Sequence, residues 1–526
     1  MSRTTGVAAP LDEPTTHRSP TVIMKQTIRI SDDDNVVVAL SAILAGTPVD
    51  GVTTQTDIPA GHKIATRAIR SGEVVLKYGY PIGAATRDIV AGEHIHSHNL
   101  HSILGADLNA TAVAGRPPSD SGRAMETATF EGFRRPDGRV GIRNEIWIVN
   151  TVGCVNNAAE RIAKAATAEL VKPGSTPEST LEGVYAFSHP YGCSQLGGDL
   201  DHTQRILAGL VNHPNAAAVL ILGLGCENNQ MKLFLNSVGP LDAGRVQYFN
   251  AQDVGDEVEE GLNRVRELAV YANQFKRTTI PARELILGMK CGGSDGLSGI
   301  TANPLVGRIA DRVTAAGGSV LLTEVPEMFG AEDVLLRRAC TKEVATETID
   351  LVNQFRGYFR KYNEPIDENP APGNKAGGIT TLAEKSLGCV QKGGQSPVAH
   401  VLDYGRTVPM GLGGLALLNA PGNDGVSSTA MVASGAHIIL FTTGRGTPMG
   451  FPAPTVKIST NSDLATRKTG WIDFDAGPIA KGTAGFPELS EKLFALILDV
   501  ASGRTQTKSE INGFREIAIW KDGVTL

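Results

Sequence analysis

Four short segments of the sequence place a cysteine among glycine and polar residues, and each follows an apolar run that is typical of a strand. They are T-V-G-C ending at Cys154, H-P-Y-G-C-S-Q at 189–195, G-L-G-C-E-N-N-Q at 223–230 and K-C-G-G-S-D-G at 290–296. In an open α/β sheet, loops at the carboxyl ends of the strands converge on one crevice, and ligands bind there. The four segments therefore predict a single active site that is assembled from distant parts of the chain.

The cysteines of these loops have two interpretations. Thiolates that converge in space, with Cys193 and Cys226 as the first candidates, could bind a metal ion or an iron–sulfur cluster. Alternatively, the cysteines pack as small apolar residues, because free cysteine is among the most buried residue types. The chain has six cysteines and no C-x-x-C pair, so their spacing favours neither a cluster motif nor a disulfide framework.

Candidates for acid–base catalysis are three carboxylates and a lysine that follow predicted strands or lie among glycines. Glu324 and Glu327 belong to T-E-V-P-E-M-F-G-A-E, Glu227 to the third cysteine loop, and Lys375 to P-G-N-K-A-G-G. Acids that stabilise a helix N-terminus and a solvated lysine in a flexible turn are the competing interpretations.

Five further residues are candidates for substrate binding, since they combine cations with amide and hydroxyl groups. Arg445 lies between two glycines after a predicted strand, where a guanidinium could bind a carboxylate through two hydrogen bonds. The full set is Lys77, Asn228, Ser294, Asp295 and Arg445. Ordinary turn chemistry or solvation is the alternative for the cations.

Alternate histidines in G-E-H-I-H-S-H-N predict a metal site. Residues two apart on an extended segment point to the same side, so His94, His96 and His98 would lie side by side. Three imidazoles on one face are typical ligands of Zn²⁺, Mn²⁺ or Fe²⁺. A polar edge strand whose histidines bond only the backbone is the alternative.

Length and composition limit the number of domains and the classes of protein to which the chain can belong. A chain of 526 residues needs two or three cores, and a net charge of −6 over this length gives no indication of nucleic acid or a membrane surface. No apolar run approaches the roughly 18 residues that span a bilayer. Few cysteines and no signal-like apolar segment favour the cytoplasm.

The pattern of elements predicts an α/β fold with mainly parallel sheets, preceded by a small β-rich unit. Strand-like runs at 145–150, 183–188, 217–222 and 285–289 alternate with helical patterns such as Asn157–Leu170 and Ile206–Asn212. We predict a disordered extension at 1–24, a β domain at 25–101, a linker at 102–127 and α/β domains at 128–365 and 366–526.

These motifs together resemble the altronate/galactarate dehydratase family from about Met24 to the C-terminal G-V-T-L. The resemblance is carried, in chain order, by G-E-H-I-H-S-H-N, T-V-G-C-V-N, S-H-P-Y-G-C-S-Q, G-L-G-C-E-N-N-Q, C-G-G-S-D-G-L-S-G-I-T-A-N-P, T-E-V-P-E-M-F-G-A-E, G-N-K-A-G-G-I-T-T-L-A-E-K-S and T-G-R-G-T-P. It implies that the N-terminal unit is a SAF-like β-clip domain and that Rossmann-like α/β domains follow.

The resemblance also implies a hydro-lyase that converts a sugar acid to a 2-keto-3-deoxy acid with a divalent metal, Fe²⁺ or Mn²⁺. D-altronate is the favoured substrate, which would give 2-dehydro-3-deoxy-D-gluconate in hexuronate breakdown, and galactarate or a related acid is the alternative. An iron–sulfur hydro-lyase and a non-catalytic sugar-acid-binding protein are the other classes. A homodimer is expected, since it is the commonest oligomer.

Overall fold

The structure is a computed structural model that describes residues 25–105, 108, 127–171 and 179–526. The predicted extension at 1–24 and most of the predicted linker at 102–127 lie outside the described residues. Within the described ranges, no helix is long and apolar enough to cross a membrane.

The first part of the chain folds into short antiparallel strands. They are β1 (Thr27–Ile28), β2 (Val36–Ala39), β3 (Pro48–Val49), β4 (Val52–Thr53), β5 (Lys63–Ala65), β6 (Val74–Lys77), β7 (Tyr80–Ala85), β8 (His94–Ile95) and β9 (Leu100–His101). Their sheet orders are β1-β2-β5-β8, β6-β7-β9 and β3-β4. Frequent turn signals keep the strands short, so the prediction of a small β unit is confirmed.

A four-stranded parallel sheet with the order β13-β12-β14-β15 follows. The elements of this part are β10 (Thr129–Arg134), β11 (Val140–Gly141), β12 (Glu145–Asn150), α1 (Asn156–Leu170), β13 (Gly183–Ala186), α2 (Gly197–Val211), β14 (Ala216–Gly223), α3 (Met231–Val238), β15 (Val246–Asn250), α4 (Glu257–Ala272) and β16 (Thr278–Pro281). Strand β14 is apolar and buried along its whole length, because α1 with α4 and α2 with α3 contribute to two separate apolar cores.

The remaining chain builds a seven-stranded parallel sheet with the order β19-β20-β18-β17-β21-β22-β23. Its elements are β17 (Ile286–Cys291), α5 (Ala302–Ala315), β18 (Ser319–Leu322), α6 (Glu332–Leu336), α7 (Lys342–Lys361), α8 (Pro372–Ala376), α9 (Leu382–Cys389), β19 (Val398–Leu402), β20 (Gly414–Leu418), α10 (Asp424–Ala433), β21 (Ile438–Thr443), β22 (Thr455–Ser459), α11 (Ser462–Arg467), β23 (Phe474–Asp475), α12 (Gly477–Lys481), α13 (Phe486–Ala501) and α14 (Lys508–Ile511).

The predicted alternation of strands and helices in parallel sheets is confirmed. The predicted strand at 145–150 is β12, and the predicted helix Asn157–Leu170 is α1. The helix predicted at Ile206–Asn212 is only the second half of α2, because the polar and glycine-rich first half hides its periodicity. The predicted boundary between residues 365 and 366 falls within the seven-stranded sheet, to which β17 and β18 contribute from one side of it and β19 to β23 from the other.

The small β unit packs directly on the seven-stranded sheet. Val75, Ile82 and Ile95 belong to the same buried apolar cluster as Leu305 and Val325. The unit therefore does not form an isolated core, and its loops are held against the loops that follow β17 and α8.

Two backbones meet at this contact. A Cβ atom on Gly296 would lie 2.0 Å from the carbonyl oxygen of Gly61, so only glycine fits. The amide of Gly296 also donates to the carbonyl of Gly377 at 2.7 Å. The loop before β5 and the loops after β17 and α8 are thus joined within one layer of backbone.

We expect Gly296→Ala to lower the free energy of unfolding by about 1–3 kcal/mol, because the added methyl group forces the two backbones apart. Urea unfolding of the full chain measures the change. The control is Gly357→Ala on α7, where a Cβ meets no atom within 4 Å and stability should stay level or rise by up to about 1 kcal/mol. Equal effects of the two substitutions would contradict tight docking.

Candidate active site

The carboxyl ends of β17 and β21 open into a crevice whose floor is the backbone of Gly292 and Gly293. Strand β17 pairs with β18 on one side and β21 on the other, and this reversal of strand order is where open α/β sheets bind ligands. A Cβ atom on Gly292 would lie 2.5 Å from the carboxylate of Asp424, and one on Gly293 would lie 3.4 Å from the Cβ of Arg445. An acid and a cation therefore flank the floor.

Behind this floor, the carboxylate of Glu324 is buried between two lysines. Lys290 on β17 pairs with one of its oxygens, and Lys392 lies 2.5 Å from the other. Lys290 also lies 2.9 Å from Asp424, whose side chain is 34% exposed while that of Lys290 is fully buried. Burial opposes a charge on Lys290, but Asp424 and then Glu324 raise the pKa of this lysine well above its ordinary value. The buried network thus reaches solvent at Asp424.

A second buried carboxylate, Glu327, lies beside the first. Lys385 contacts it at 2.8 Å, and the thiol of Cys389 donates to it at 2.7 Å. Burial alone would raise the pKa of Glu327, yet Lys385, followed by Lys290 and Lys392, holds this pKa at about 2. The two predicted catalytic glutamates therefore lie together, and both are enclosed by lysines rather than exposed to the crevice.

Ser294 and Asp295, both predicted to bind substrate, form the loop after β17. The hydroxyl of Ser294 lies 2.7 Å from the thiol of Cys291. Asp295 accepts hydrogen bonds from Ser298 at 3.0 Å and Thr460 at 2.9 Å, and burial raises the pKa of its carboxyl. These contacts hold the shape of the loop, while substrate binding by the pair stays a prediction.

The three predicted histidine ligands lie together. The ring of His94 is centred 5.6 Å from that of His96 and 5.5 Å from that of His98, although only His94 belongs to a strand. A fourth ring joins them, because Nδ1 of His62 lies 2.9 Å from Nε2 of His94. Nε2 of His96 bonds the carbonyl of Lys375 at 2.9 Å. We call these four rings the histidine group, and it contacts the backbone of the loop that carries Lys375.

The donor chemistry of the histidine group fits a divalent cation. Burial lowers the pKa of His62 to about 4 and that of His94 to about 3, so both rings are neutral, which is the form that binds metals. In the conformation of the described residues, no three His, Cys, Asp or Glu side chains are arranged to hold a metal ion. The rings of His62 and His94 bond each other, and they would have to turn to receive an ion.

Lys77 was predicted to bind a substrate carboxylate, but the structure encloses it. Its ammonium lies 2.8 Å from Glu384, and both side chains are about 1% exposed. Lys63 contacts the other oxygen of Glu384 at 2.8 Å. Burial would raise the pKa of Glu384, but Lys63 and Lys77 hold it at about 2. The charge of Lys77 is thus neutralised inside the protein, and a substrate would have to displace Glu384 to reach it.

The remaining predicted residues lie at the carboxyl edge of the four-stranded sheet. Glu227 accepts hydrogen bonds from Thr151 at 2.5 Å and from two backbone amides of its own loop. Asn228 accepts from the amide of Ser194 at 2.7 Å. Cys193 and Cys226, both predicted metal ligands, are exposed. These residues belong to the four-stranded sheet and the others to the seven-stranded sheet, and a single site formed by all of them stays a prediction.

Several groups of the site are absent from the predicted set although they belong to motifs that the sequence displays. Lys290 precedes Cys291 in K-C-G-G-S-D-G, and Asp424 ends the polar turn A-P-G-N-D that follows a strand. The full set is His62, Lys290, Glu384, Lys385, Lys392 and Asp424. For Asp424 the position after a strand was the available signal, whereas the partners of the buried lysines and of Glu384 are remote in sequence.

Comparison with known proteins gives matches along almost the whole described chain. Residues 25–103 match the altronate/galactarate dehydratase SAF domain, residues 132–273 the D-galactarate dehydratase/altronate hydrolase second domain, and residues 282–525 the D-galactarate/altronate dehydratase C-terminal domain. The chain is 48% identical to altronate dehydratase of Escherichia coli (strain K12) over 95% of its length and all of the relative. It is 46% identical to altronate dehydratase of Bacillus subtilis (strain 168) over 96% of its length and all of the relative.

A more distant relative has another substrate in its name. Galactarate dehydratase (L-threo-forming) of Escherichia coli (strain K12) is 34% identical over 92% of this chain and 94% of the relative.

We expect Glu384→Gln to lower the free energy of unfolding by roughly 3–5 kcal/mol at neutral pH, because it leaves two buried ammonium groups without a counter-charge. The pKa of Glu384 is about 2 in the folded chain against an ordinary 4.5. Its stabilisation is therefore complete above pH 4.5 and is lost as the pH falls towards 2. Urea titrations at several pH values in this range measure the free energy of unfolding. We expect this free energy to change less with pH in the variant than in the parent chain.

The matched control is Glu488→Gln, which removes an exposed partner of Lys492 on α13. Exposed pairs of this kind contribute about 0.3–0.5 kcal/mol. A Glu384 variant that loses no more stability than this control would show that the buried ion pairs do not hold the β unit in place.

Proposed function

The chain belongs to the galactarate/altronate dehydratase family, and we propose that it is a hydro-lyase that converts D-altronate to 2-dehydro-3-deoxy-D-gluconate and water. Similarity to two altronate dehydratases over the whole of their length carries the proposal. A cytoplasmic homodimer that serves hexuronate breakdown is the proposed setting.

Substrate binding begins with the carboxylate of the sugar acid. Arg445 is exposed at the edge of the crevice, and it forms no ion pair with any residue that the structure describes. A planar guanidinium of this kind binds a carboxylate through two parallel hydrogen bonds. We assign this role to Arg445, because Gly293 beneath it leaves space for the ligand to approach.

Proton removal from C2 is assigned to Asp424. The hydrogen beside a carboxylate is weakly acidic, so a base must lie next to it and cations must stabilise the enediolate that forms. Asp424 is the member of the buried charge network that reaches the crevice, and Lys290 lies 2.9 Å from it. Glu324 contributes from behind by holding Lys290 in place, and it does not touch the substrate.

Departure of the 3-hydroxyl requires a proton donor, and we assign this role to Lys375. Its side chain is half-buried, and its own carbonyl is bonded to His96 of the histidine group. The enol that remains after water has left rearranges to the 2-keto acid.

The histidine group would hold the divalent metal, with His62, His94 and His98 as the ligands and Fe²⁺ or Mn²⁺ as the expected ions. A bound cation would act as a Lewis acid towards the carboxylate and hydroxyl oxygens of the substrate. His96 holds the loop of Lys375, because its Nε2 bonds the carbonyl of that residue at 2.9 Å.

The substrate is expected to be an aldonate rather than an aldarate, because the cations considered for a second carboxylate are already engaged. Galactarate carries a carboxylate at each end, so its enzyme needs a second cation. Lys77 pairs with Glu384 and Arg143 with Glu510, while Lys457 donates to Pro448 and Ser509. None of the three is free for a second carboxylate.

A panel of aldonates and aldarates, assayed for 2-keto-3-deoxy acid with Fe²⁺, Mn²⁺ or Mg²⁺, tests the proposed function. We expect the highest kcat/KM for D-altronate, loss of activity after chelation, and recovery with Fe²⁺ or Mn²⁺. Faster turnover of galactarate would reject the substrate assignment. Binding of altronate without formation of a keto acid would reject the enzyme class.

Substitutions in the crevice test the assigned roles. Asp424→Asn should lower kcat by about 10²–10⁴-fold with little change in KM, since it removes the base without removing bulk. Arg445→Met should mainly raise KM, because it removes a contact to the ground-state carboxylate. Asp463→Asn and Arg467→Met on α11, both exposed, are the controls and should leave both constants unchanged. A normal kcat for Asp424→Asn would place the base elsewhere.

A further inference from the structure

The carboxyl edge of the four-stranded sheet carries three thiols for which the proposed reaction has no use. Cys154, Cys193 and Cys226 are all exposed, whereas Cys291 and Cys389 of the seven-stranded sheet are buried. Free cysteine is normally buried, and exposed thiols in preformed loops are characteristic of reactive or metal-binding sites. Three exposed thiols at one sheet edge therefore require an explanation other than packing.

The loops that carry the three thiols are bonded to one another. The amide of Gly153 donates to the carbonyl of Tyr191 at 2.9 Å, and that of Asn229 donates to the carbonyl of Gly192 at 2.9 Å. A Cβ atom on Gly192 would lie 2.0 Å from the carbonyl oxygen of Thr151. Each cysteine is thus within three residues of a backbone contact that joins its loop to the next, so the loops that carry the thiols share one base.

The helices that follow these loops leave positive charge at the same edge. The N-termini of α1, α2 and α3 have no side-chain cap, and only that of α2 has an acid, Asp199, in its first turn. Asp256 caps α4, and three acids lie in its first turn. The amides of Cys193 and Cys226 donate to no acceptor within the described residues. Helix N-termini and free amides attract anions, and amides that bond sulfur also tune iron–sulfur clusters.

Other donors at this edge are already engaged. His189 bonds the carbonyl of Asn150 through Nε2 and the amide of Tyr191 through Nδ1, so neither of its nitrogens is free. Glu227 is engaged by Thr151 and by backbone amides. With His189 and Glu227 engaged, the three thiols are the ligands that these described loops offer.

We propose that Cys154, Cys193 and Cys226 bind a [4Fe–4S] cluster at this edge and leave its fourth iron without a protein ligand. The described side chains provide no group of three that could hold a single metal ion, so the three thiols do not converge on one ion as they stand. A cluster does not need three donors around one ion, because each of its thiolates binds a different iron. Each thiol loses its proton as its sulfur bonds to the cluster, and the negative charge is stabilised by the three helix N-termini.

Anaerobic reconstitution of the full chain tests the site. The reaction contains ferric iron, sulfide and dithiothreitol, which supplies the two electrons that reduce two of the four irons. We expect about four irons and four acid-labile sulfides per chain, with visible charge-transfer absorption and an electron paramagnetic resonance signal after reduction. Iron bound without sulfide, or no bound iron, would overturn the proposal.

Three serine substitutions locate the ligands. Cys154→Ser, Cys193→Ser and Cys226→Ser should each lose most of the bound sulfide while thermal unfolding stays that of the parent chain. Cys340→Ser, at a partly buried thiol elsewhere, is the matched control and should keep the full content. Loss of sulfide in the control, or retention in the three variants, would reject the site.

The cluster and the dehydratase reaction can fail separately. His94→Ala alters the histidine group and should leave sulfide content unchanged, because the proposed cluster has no histidine ligand. A chain that holds the cluster and dehydrates no sugar acid would reject the proposed function and leave the cluster site standing.

Discussion

Pairing of buried charges is the constraint on which the arrangement of the active site depends. Glu384 lies between Lys63 and Lys77, which belong to the β unit, although more than 300 residues separate it from either lysine. An unpaired charge at this depth would cost several kcal/mol, so the β unit has one position in which all three groups are satisfied. That position also brings Gly61 against Gly296 and the histidine group against the loop of Lys375.

The same principle operates under the crevice floor. Three lysines enclose Glu324 and Glu327, and the chain accepts a left-handed backbone at Glu324 (φ 67°) in this network. Such conformations cost of order 1–3 kcal/mol in non-glycine residues and persist where the surroundings over-determine them. The outcome is a lysine, Lys290, that stays charged without solvent and presents its charge to Asp424.

The local parts of this structure are predictable from the sequence, and its long-range pairing is not. Apolar runs followed by glycine and polar residues identify β12, β14 and β17 and the loops after them, because strand patterning and turn chemistry are local. The partner of Lys77 is remote in sequence. The sequence therefore predicts a free cation at Lys77, whereas in the structure its charge is neutralised by Glu384. A domain boundary drawn at a Pro/Gly-rich segment likewise cannot reveal that β17 and β19 to β23 share one sheet, since sheet order is set by packing of distant segments.

The carboxyl edges of the two parallel sheets differ in the exposure of their cysteines and in the capping of the helices that begin there. This contrast indicates different ligands. At the seven-stranded sheet, cysteines are buried and lysines are matched to carboxylates, and α10 is capped by Asn423 although α5 has no side-chain cap. An organic acid suits the edge of the seven-stranded sheet, because Arg445 forms no ion pair with a described residue and can bind a carboxylate. At the four-stranded sheet, cysteines are exposed and three helices begin without a side-chain cap. The free amides of an edge of this kind are satisfied by water or by an anionic group, and the proposed iron–sulfur cluster, with its thiolate ligands, would be such a group.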